Sequence, residues 1–189
     1  YDYDGDSAGV GRFCLMCNGG PANNPVQPSA PFRMMSGWAT SLTTLTTAVA
    51  NLPVTAGINQ FYKVNRPSFA NEYYLIENRQ RTGRDASLPD EGLAIWHVDT
   101  NGSNNNQQMT PSQHYYTTLV QADGRWDLEN GFGQGDATDL WSSPDHVLFT
   151  PITSPAATWW NGAAAPLFVD GVSASAPVIT PRSIWWPPM

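Results

Sequence analysis

The sequence predicts an α+β fold, mainly antiparallel β with one N-terminal helix. Three observations lead there. Runs rich in β-branched and aromatic residues recur from Ile58 onward, each bounded by Pro, Gly or Asn clusters. A single stretch near residue 30 carries helix-start and helix-stop signals. The spacers between the strand runs are too polar and irregular for the helices that a parallel doubly wound sheet needs.

Each element has its own justification. Residues 1–24 read as loop, with Asp2, Asp4 and Asp6 around Gly5, then Gly9, Gly11 and Gly19-Gly20. A short apolar insert, Phe13-Cys14-Leu15-Met16, interrupts them. Ser29 is placed to cap a helix and Pro31 suits its first turn. Phe32, Met34, Met35 and Trp38 give that helix an apolar side, and Gly37 can end it. Residues 40–56, rich in Thr, Val and Leu, suit strands and turns. Strand runs follow at Ile58–Val64, Glu72–Glu77, Gly92–Val98 and Tyr115–Gln121, with a last one at Phe168–Ser173. There is no internal repeat.

Composition bounds the function. The 189 residues suit one domain, or one plus a fragment. Charged residues make up only 13%, about half the usual ~25%. Aromatics reach 12%, which excludes a disordered chain. With 16 acidic against 9 basic residues, the chain lacks the Lys/Arg stripes that phosphate neutralisation needs, so nucleic acid is not an expected partner. No apolar run approaches the ~20 residues of a membrane span. Low charge, many Asn and Thr, abundant Trp and one lysine, Lys63, read as a secreted protein. The start at Tyr1, directly in an acidic run, reads as a processed or truncated chain.

Few residues announce chemistry. Cys14 and Cys17 form one Cys-x-x-Cys, without the second pair of a four-cysteine zinc site. Asn18-Gly19-Gly20-Pro21 follows as a turn, not as the helix a thioredoxin-like motif opens, so a loop feature is the expectation. His97, His114 and His146 are far apart, and spacing alone gives no zinc site. His97 alternates with Leu93 and Ile95 on one strand face, as a hydrogen-bonded structural histidine would. No Gly-x-Ser-x-Gly is present. Glu77, Glu91, Asp99, Asp123 and Asp127 offer carboxylates for glycoside hydrolysis, but solvated carboxylates and salt bridges to Arg79, Arg81 and Arg84 are the expectation.

Calcium has more support. Asp2, Asp4 and Asp6 alternate as an EF-hand loop begins, but Ser7 replaces its turn glycine and Phe13 stands in place of its bidentate Glu. A second acidic stretch holds Asp123, Asp127, Asp136 and Asp139, with Arg125 as the nearby cation and Gly131, Gly133 and Gly135 to allow tight wrapping. A calcium loop and a plain acidic surface loop both fit. Trp159-Trp160 and Trp185-Trp186 suit either a sugar-stacking platform or packing on a sheet edge.

Several blocks in order resemble one family. They are Tyr1-Asp2-Tyr3-Asp4, then Gly9-Val10-Gly11-Arg12-Phe13-Cys14-Leu15-Met16, then Pro28-Ser29-Ala30 leading to Gly37-Trp38. Asn71-Glu72-Tyr73-Tyr74-Leu75-Ile76-Glu77-Asn78-Arg79-Gln80 and Gly92-Leu93-Ala94-Ile95-Trp96-His97-Val98-Asp99 follow. Val120-Gln121-Ala122-Asp123-Gly124 and Gly135-Asp136-Ala137-Thr138-Asp139-Leu140 complete the set. Together they resemble the secreted zinc metallopeptidases of the immune inhibitor A type, peptidase family M-six. The resemblance implies the C-terminal portion of a zincin or metzincin-type domain acting on protein or peptide substrates. It puts the His-Glu-x-x-His helix, with its zinc ligands and general-base Glu, upstream of Tyr1, so no zinc ligand is carried over to this chain. Met16 takes the place of the Met-turn beneath the zinc. Residues 1–56 then form the lower part of the peptidase domain and 57–175 a β-rich C-terminal subdomain. Residues 176–189 lie outside the resemblance. A non-catalytic calcium- or carbohydrate-binding β module is the alternative.

Overall fold

The computed structural model describes residues 5–103 and 109–184. One α-helix, α1 (Ala30–Met35), precedes eleven strands. These are β1 (Ser41–Thr44), β2 (Val49–Ala50), β3 (Val54–Thr55), β4 (Gln60–Arg66), β5 (Phe69–Arg79), β6 (Gly92–Asp99), β7 (Thr117–Leu119), β8 (Leu148–Phe149), β9 (Val169–Asp170), β10 (Val178–Ile179) and β11 (Ser183–Ile184). Short 3₁₀ turns cover Gly11–Phe13 and Gly83–Ser87. The architecture is α+β with mostly antiparallel sheets.

The centre is a five-stranded sheet in the order β1-β4-β5-β6-β7. Only β1 runs parallel to its neighbour β4; the other pairs are antiparallel. Strands β5 and β6 are in register from Glu72↔Asp99 to Arg79↔Gly92. All of β6 is buried, so Leu93-Ala94-Ile95-Trp96 is a continuous apolar run rather than an alternating one. On one face Tyr62, Val64, Tyr74, Ile76 and Ile95 pack with Phe149, Val169, Ile179 and Ile184. On the other, Phe61, Tyr73, Leu75 and Trp96 pack with Val10, Phe13, Val26 and Ala30. The chain before β1 therefore covers one face together with Leu128 and Leu140, and the chain from Trp141 onward covers the other together with Leu45 and Val54.

A four-stranded antiparallel sheet, β2-β11-β9-β8, and the pair β10-β3 complete the second layer. The segment beyond residue 175, outside the resemblance, thus supplies two strands, both paired with strands of residues 49–55.

Several expectations shift. The helix is only six residues long, followed by Ser36 as C-cap and Gly37 at φ 72°. Its buried residues are Ala30, Pro31 and Arg33, whereas Met35 and Trp38 are exposed. Ser29 makes no side-chain cap hydrogen bond, and its Oγ is buried without a partner. The Tyr115–Gln121 run pairs only over Thr117–Leu119, and the Phe168–Ser173 run only over Val169–Asp170. No helix among the described residues is long and apolar enough to cross a membrane.

Candidate functional site

Three groups of functional side chains surround the central sheet. The first sits at the C-terminal end of β5, where Glu77, Asn78, Arg79 and Gln80 are all buried. Glu77 Oε1 accepts the Ala30 N–H at the start of α1 and the Trp96 indole N–H, each at 3.0 Å. Its Oε2 pairs with Arg33, which comes from α1 itself. Arg79 donates to both oxygens of Asp85 at 2.8 Å and to the Phe13 carbonyl at 3.1 Å. Asn78 donates to the carbonyls of Val54 and Ala176, each at 2.9 Å. Gln80 donates to Ser175 Oγ at 3.0 Å. Each residue of this run fastens a different distant segment to the sheet. A cleft of about 270 Å³ opens beside them, lined among others by Gln27, Arg33, Arg79 and Thr82. Both of its guanidiniums are already matched by Glu77 and Asp85, so it carries no free charge for an anionic ligand.

The second group lies at the opposite end of β5 and β6. His97 Nε2 and Glu72 Oε1 are 2.9 Å apart. The same oxygen accepts the Trp160 backbone N–H at 2.7 Å, and Arg66 takes Oε2. Burial raises the Glu72 carboxyl, but the bonds from His97, the Trp160 N–H and Arg66 outweigh it and hold it at about 2. Burial pushes His97 down despite that partner. His114 Nε2 lies 2.9 Å from Asp99 Oδ2. The Trp160 indole stacks on two histidine rings, His97 at 5.1 Å and His114 at 4.7 Å. Trp159 is buried in the core, and Trp185-Trp186 lie outside the described residues.

The third group is a cluster of three carboxylates, Asp123, Asp136 and Asp139, with one oxygen of each within 4.8 Å of the others. Asp123 follows β7, and the other two come from the Gly-rich return toward Trp141. The Asp136 N–H donates to Asp139 at 2.7 Å, and the Ala122 N–H to the Asp139 carbonyl at 2.9 Å, which clips the two stretches together. Thr138 Oγ1 bonds Asp136 at 2.6 Å and Asp123 at 3.0 Å. Gly135, at φ 104°, sets the turn; a Cβ there would stand 2.5 Å from the Phe13 ring. Gly133 has open space around it and needs no such freedom.

Burial, with the charges of Asp136, Asp123 and Asp90, pushes the Asp139 carboxyl up to about 7. The Thr138 hydrogen bonds pull Asp136 down instead. Arg125 is the only cation paired with the cluster among the described residues, at 3.4 Å from Asp123 and 3.8 Å from Asp136, and it is mostly exposed. The donor set is all oxygen, as hard cations require. The arrangement can hold a divalent ion, and nothing in it selects zinc, which prefers nitrogen and sulfur.

The remaining expected residues are placed elsewhere. Asp127 is not in the cluster; its backbone N–H is held by Gln121 Oε1 at 2.9 Å. Asp6 is exposed, and Asp2 and Asp4 lie outside the described residues. Glu77 and Asp99 are engaged by arginine and histidine, and Glu91 accepts the Arg81 N–H at 3.0 Å. Met16 is 56% exposed on its turn. Sequence reasoning missed Arg33, hidden in an apolar-looking helix, and Glu129, a buried acid between Thr118 and Gln121. It also missed Asp90, which accepts the Leu140 N–H at 2.8 Å beside the cluster. Comparison with family models, with curated proteins and with solved structures returned no match to this chain.

Proposed function

We propose that this chain is part of a secreted zinc endopeptidase of the immune inhibitor A type, the part that carries the Met-turn and the β-rich support. The zinc-binding helix and general-base Glu belong upstream of Tyr1. One observation carries this reading: four of the family-like blocks, those holding Phe13, Ala30, Glu77 with Arg79, and Trp96, meet in one buried network. Glu77 and Arg79 reach the Phe13 carbonyl ahead of Leu15-Met16, the first N–H of α1, and the Trp96 indole. Leu15 and Met16 stand exposed on the turn so fastened, where a soft thioether can pack under a metal-bearing helix.

The histidines of this chain do not fit a zinc centre. His97 and His114 are committed to Glu72 and Asp99, and His146 sits apart, edge-on to Trp141. The work of this chain is to position and support, and its partners are protein or peptide substrates of the whole enzyme. The test is the upstream reading frame, where His-Glu-x-x-His is expected within ~20 residues before Tyr1, because the Met-turn must reach back beneath that zinc. The longer chain should cleave casein in a chelator-sensitive way, and residues 1–189 alone should not. Absence of the motif, or cleavage by the short chain, overturns the reading.

A second reading is favoured by the Asp123, Asp136 and Asp139 cluster. In it the chain is a non-catalytic β module stabilised by calcium. Trp160 is already stacked on His97 and His114, which gives a carbohydrate-binding version no support.

A further inference from the structure

Cys14 and Cys17 flank the exposed Leu15-Met16 turn, and the structure holds both as free thiols. The Cys17 N–H donates to the Cys14 carbonyl at 3.0 Å, which closes a four-residue turn. Such a turn brings its first and last Cα atoms within roughly 7 Å, and a disulfide spans Cα separations of about 4.4–6.8 Å. The closure is enforced from outside the turn. Gly19 folds back so tightly that a Cβ on it would stand 2.5 Å from the Leu15 Cα. The Leu15 N–H is also held by the Gln27 carbonyl at 3.3 Å, and the Asn18 N–H by the Gly11 carbonyl at 3.1 Å.

The two sulfurs differ in a way that suits stepwise oxidation. Cys14 is fully buried, and its Sγ accepts the N–H groups of Met16 at 3.4 Å and Ser29 at 3.3 Å. Cys17 is only partly buried, and its thiol donates to the Ala8 carbonyl at 3.1 Å. One sulfur is within reach of a reagent and the other waits behind it.

We propose that Cys14 and Cys17 are a modification site: a dithiol that low-molecular-weight disulfides convert to an intramolecular disulfide, locking the turn that presents Leu15 and Met16. The Cys17 thiolate attacks the oxidant, here glutathione disulfide. One glutathione leaves as thiolate, and a mixed disulfide forms on Cys17. Cys14, after losing its proton, attacks the Cys17 sulfur and expels the second glutathione. Two S–H bonds become one S–S bond, and the two protons and two electrons pass to the oxidant, which becomes two glutathione thiols. The pairing stands on the geometry of this turn and not on the peptidase reading.

The test treats the reduced chain with glutathione disulfide, alkylates it under denaturing conditions, and reads the intact mass and the peptide carrying both cysteines. The parent chain should lose two hydrogens, take up no alkyl groups at Cys14 or Cys17, and retain no glutathione. Cys14→Ser should accumulate the glutathione adduct on Cys17. Cys17→Ser should react only once urea unfolds it, since Cys14 alone is buried. A parent chain that keeps the adduct, links into dimers, or keeps two alkylatable thiols at equilibrium overturns the proposal. So does a Cys17→Ser variant that reacts at Cys14 while folded.

Discussion

Glu129 is buried between Thr118 and Gln121, and no salt bridge reaches it among the described residues. Burial pushes its carboxyl up to about 7, and the Thr118 and Gln121 bonds only partly oppose this. Its unfolded value is near 4.5. Between these two the folded chain binds a proton that the unfolded chain does not, so stability falls as pH rises across that window. At ~1.4 kcal/mol per pH unit the loss is on the order of 3 kcal/mol. Glu129→Gln keeps the shape without the titration. Urea unfolding from pH 5 to pH 8.5 should therefore show a clearly flatter pH dependence for the variant than for the parent. Equal slopes would place the titration elsewhere. Nothing in the sequence separates Glu129 from Asp123 or Asp127, because its enclosure depends on the loop folding back onto Thr118 and Gln121. The cluster itself was half legible: Asp123, Asp136 and Asp139 stood out as acidic loop residues, but the exclusion of Asp127 depends on Gln121 turning that stretch.

Helix α1 shows how an element can depend on a residue outside it. Six residues are too few to be helical alone, and Ser29 supplies no cap bond. The cap comes instead from Glu77, which also neutralises Arg33 beneath the helix. Glu77→Ala would leave Arg33 buried without its carboxylate, and Arg79 with Asp85 alone. A cost of about 3–5 kcal/mol is expected in denaturant unfolding, as for other broken buried pairs. A loss below ~1 kcal/mol, the range of exposed pairs, would show that the network holds little together. The same geometry explains what the sequence hid. Strands β4, β5 and β6 were legible because their β-rich runs are long and bounded. Two-residue strands such as β8, β10 and β11 carry no period to read. The apolar pattern extends the helix to Trp38, but Met35 and Trp38 are exposed and the buried side is built around Arg33.

At the scale of the whole molecule, the acidic loop is a bridge between layers. Its backbone meets the N-terminal segment through Ala8 N–H to Leu128 at 2.7 Å and Arg12 N–H to Gln134 at 2.8 Å. Leu128 and Leu140 pack in the same core as Val10 and Phe13. Whatever neutralises Asp123, Asp136 and Asp139 therefore steadies the cover on one face of the central sheet. The chain carries a net charge of −7, so it offers few cations of its own for this. A bound Ca²⁺ would use these carboxylates with backbone oxygens or water to fill its 6–8 positions. Binding to the folded loop and not to the open chain raises stability by mass action, about 2.7 kcal/mol at a hundredfold excess over Kd. The expected result is a melting temperature raised by Ca²⁺ beyond the shift in Mg²⁺ or in salt of equal ionic strength. Combining Asp136→Ala with Asp139→Ala should abolish that difference. General screening of a solvated acidic surface acts on all three solutions alike. Identical shifts in all three, or a calcium shift that survives the double substitution, would remove this cluster as a cation site.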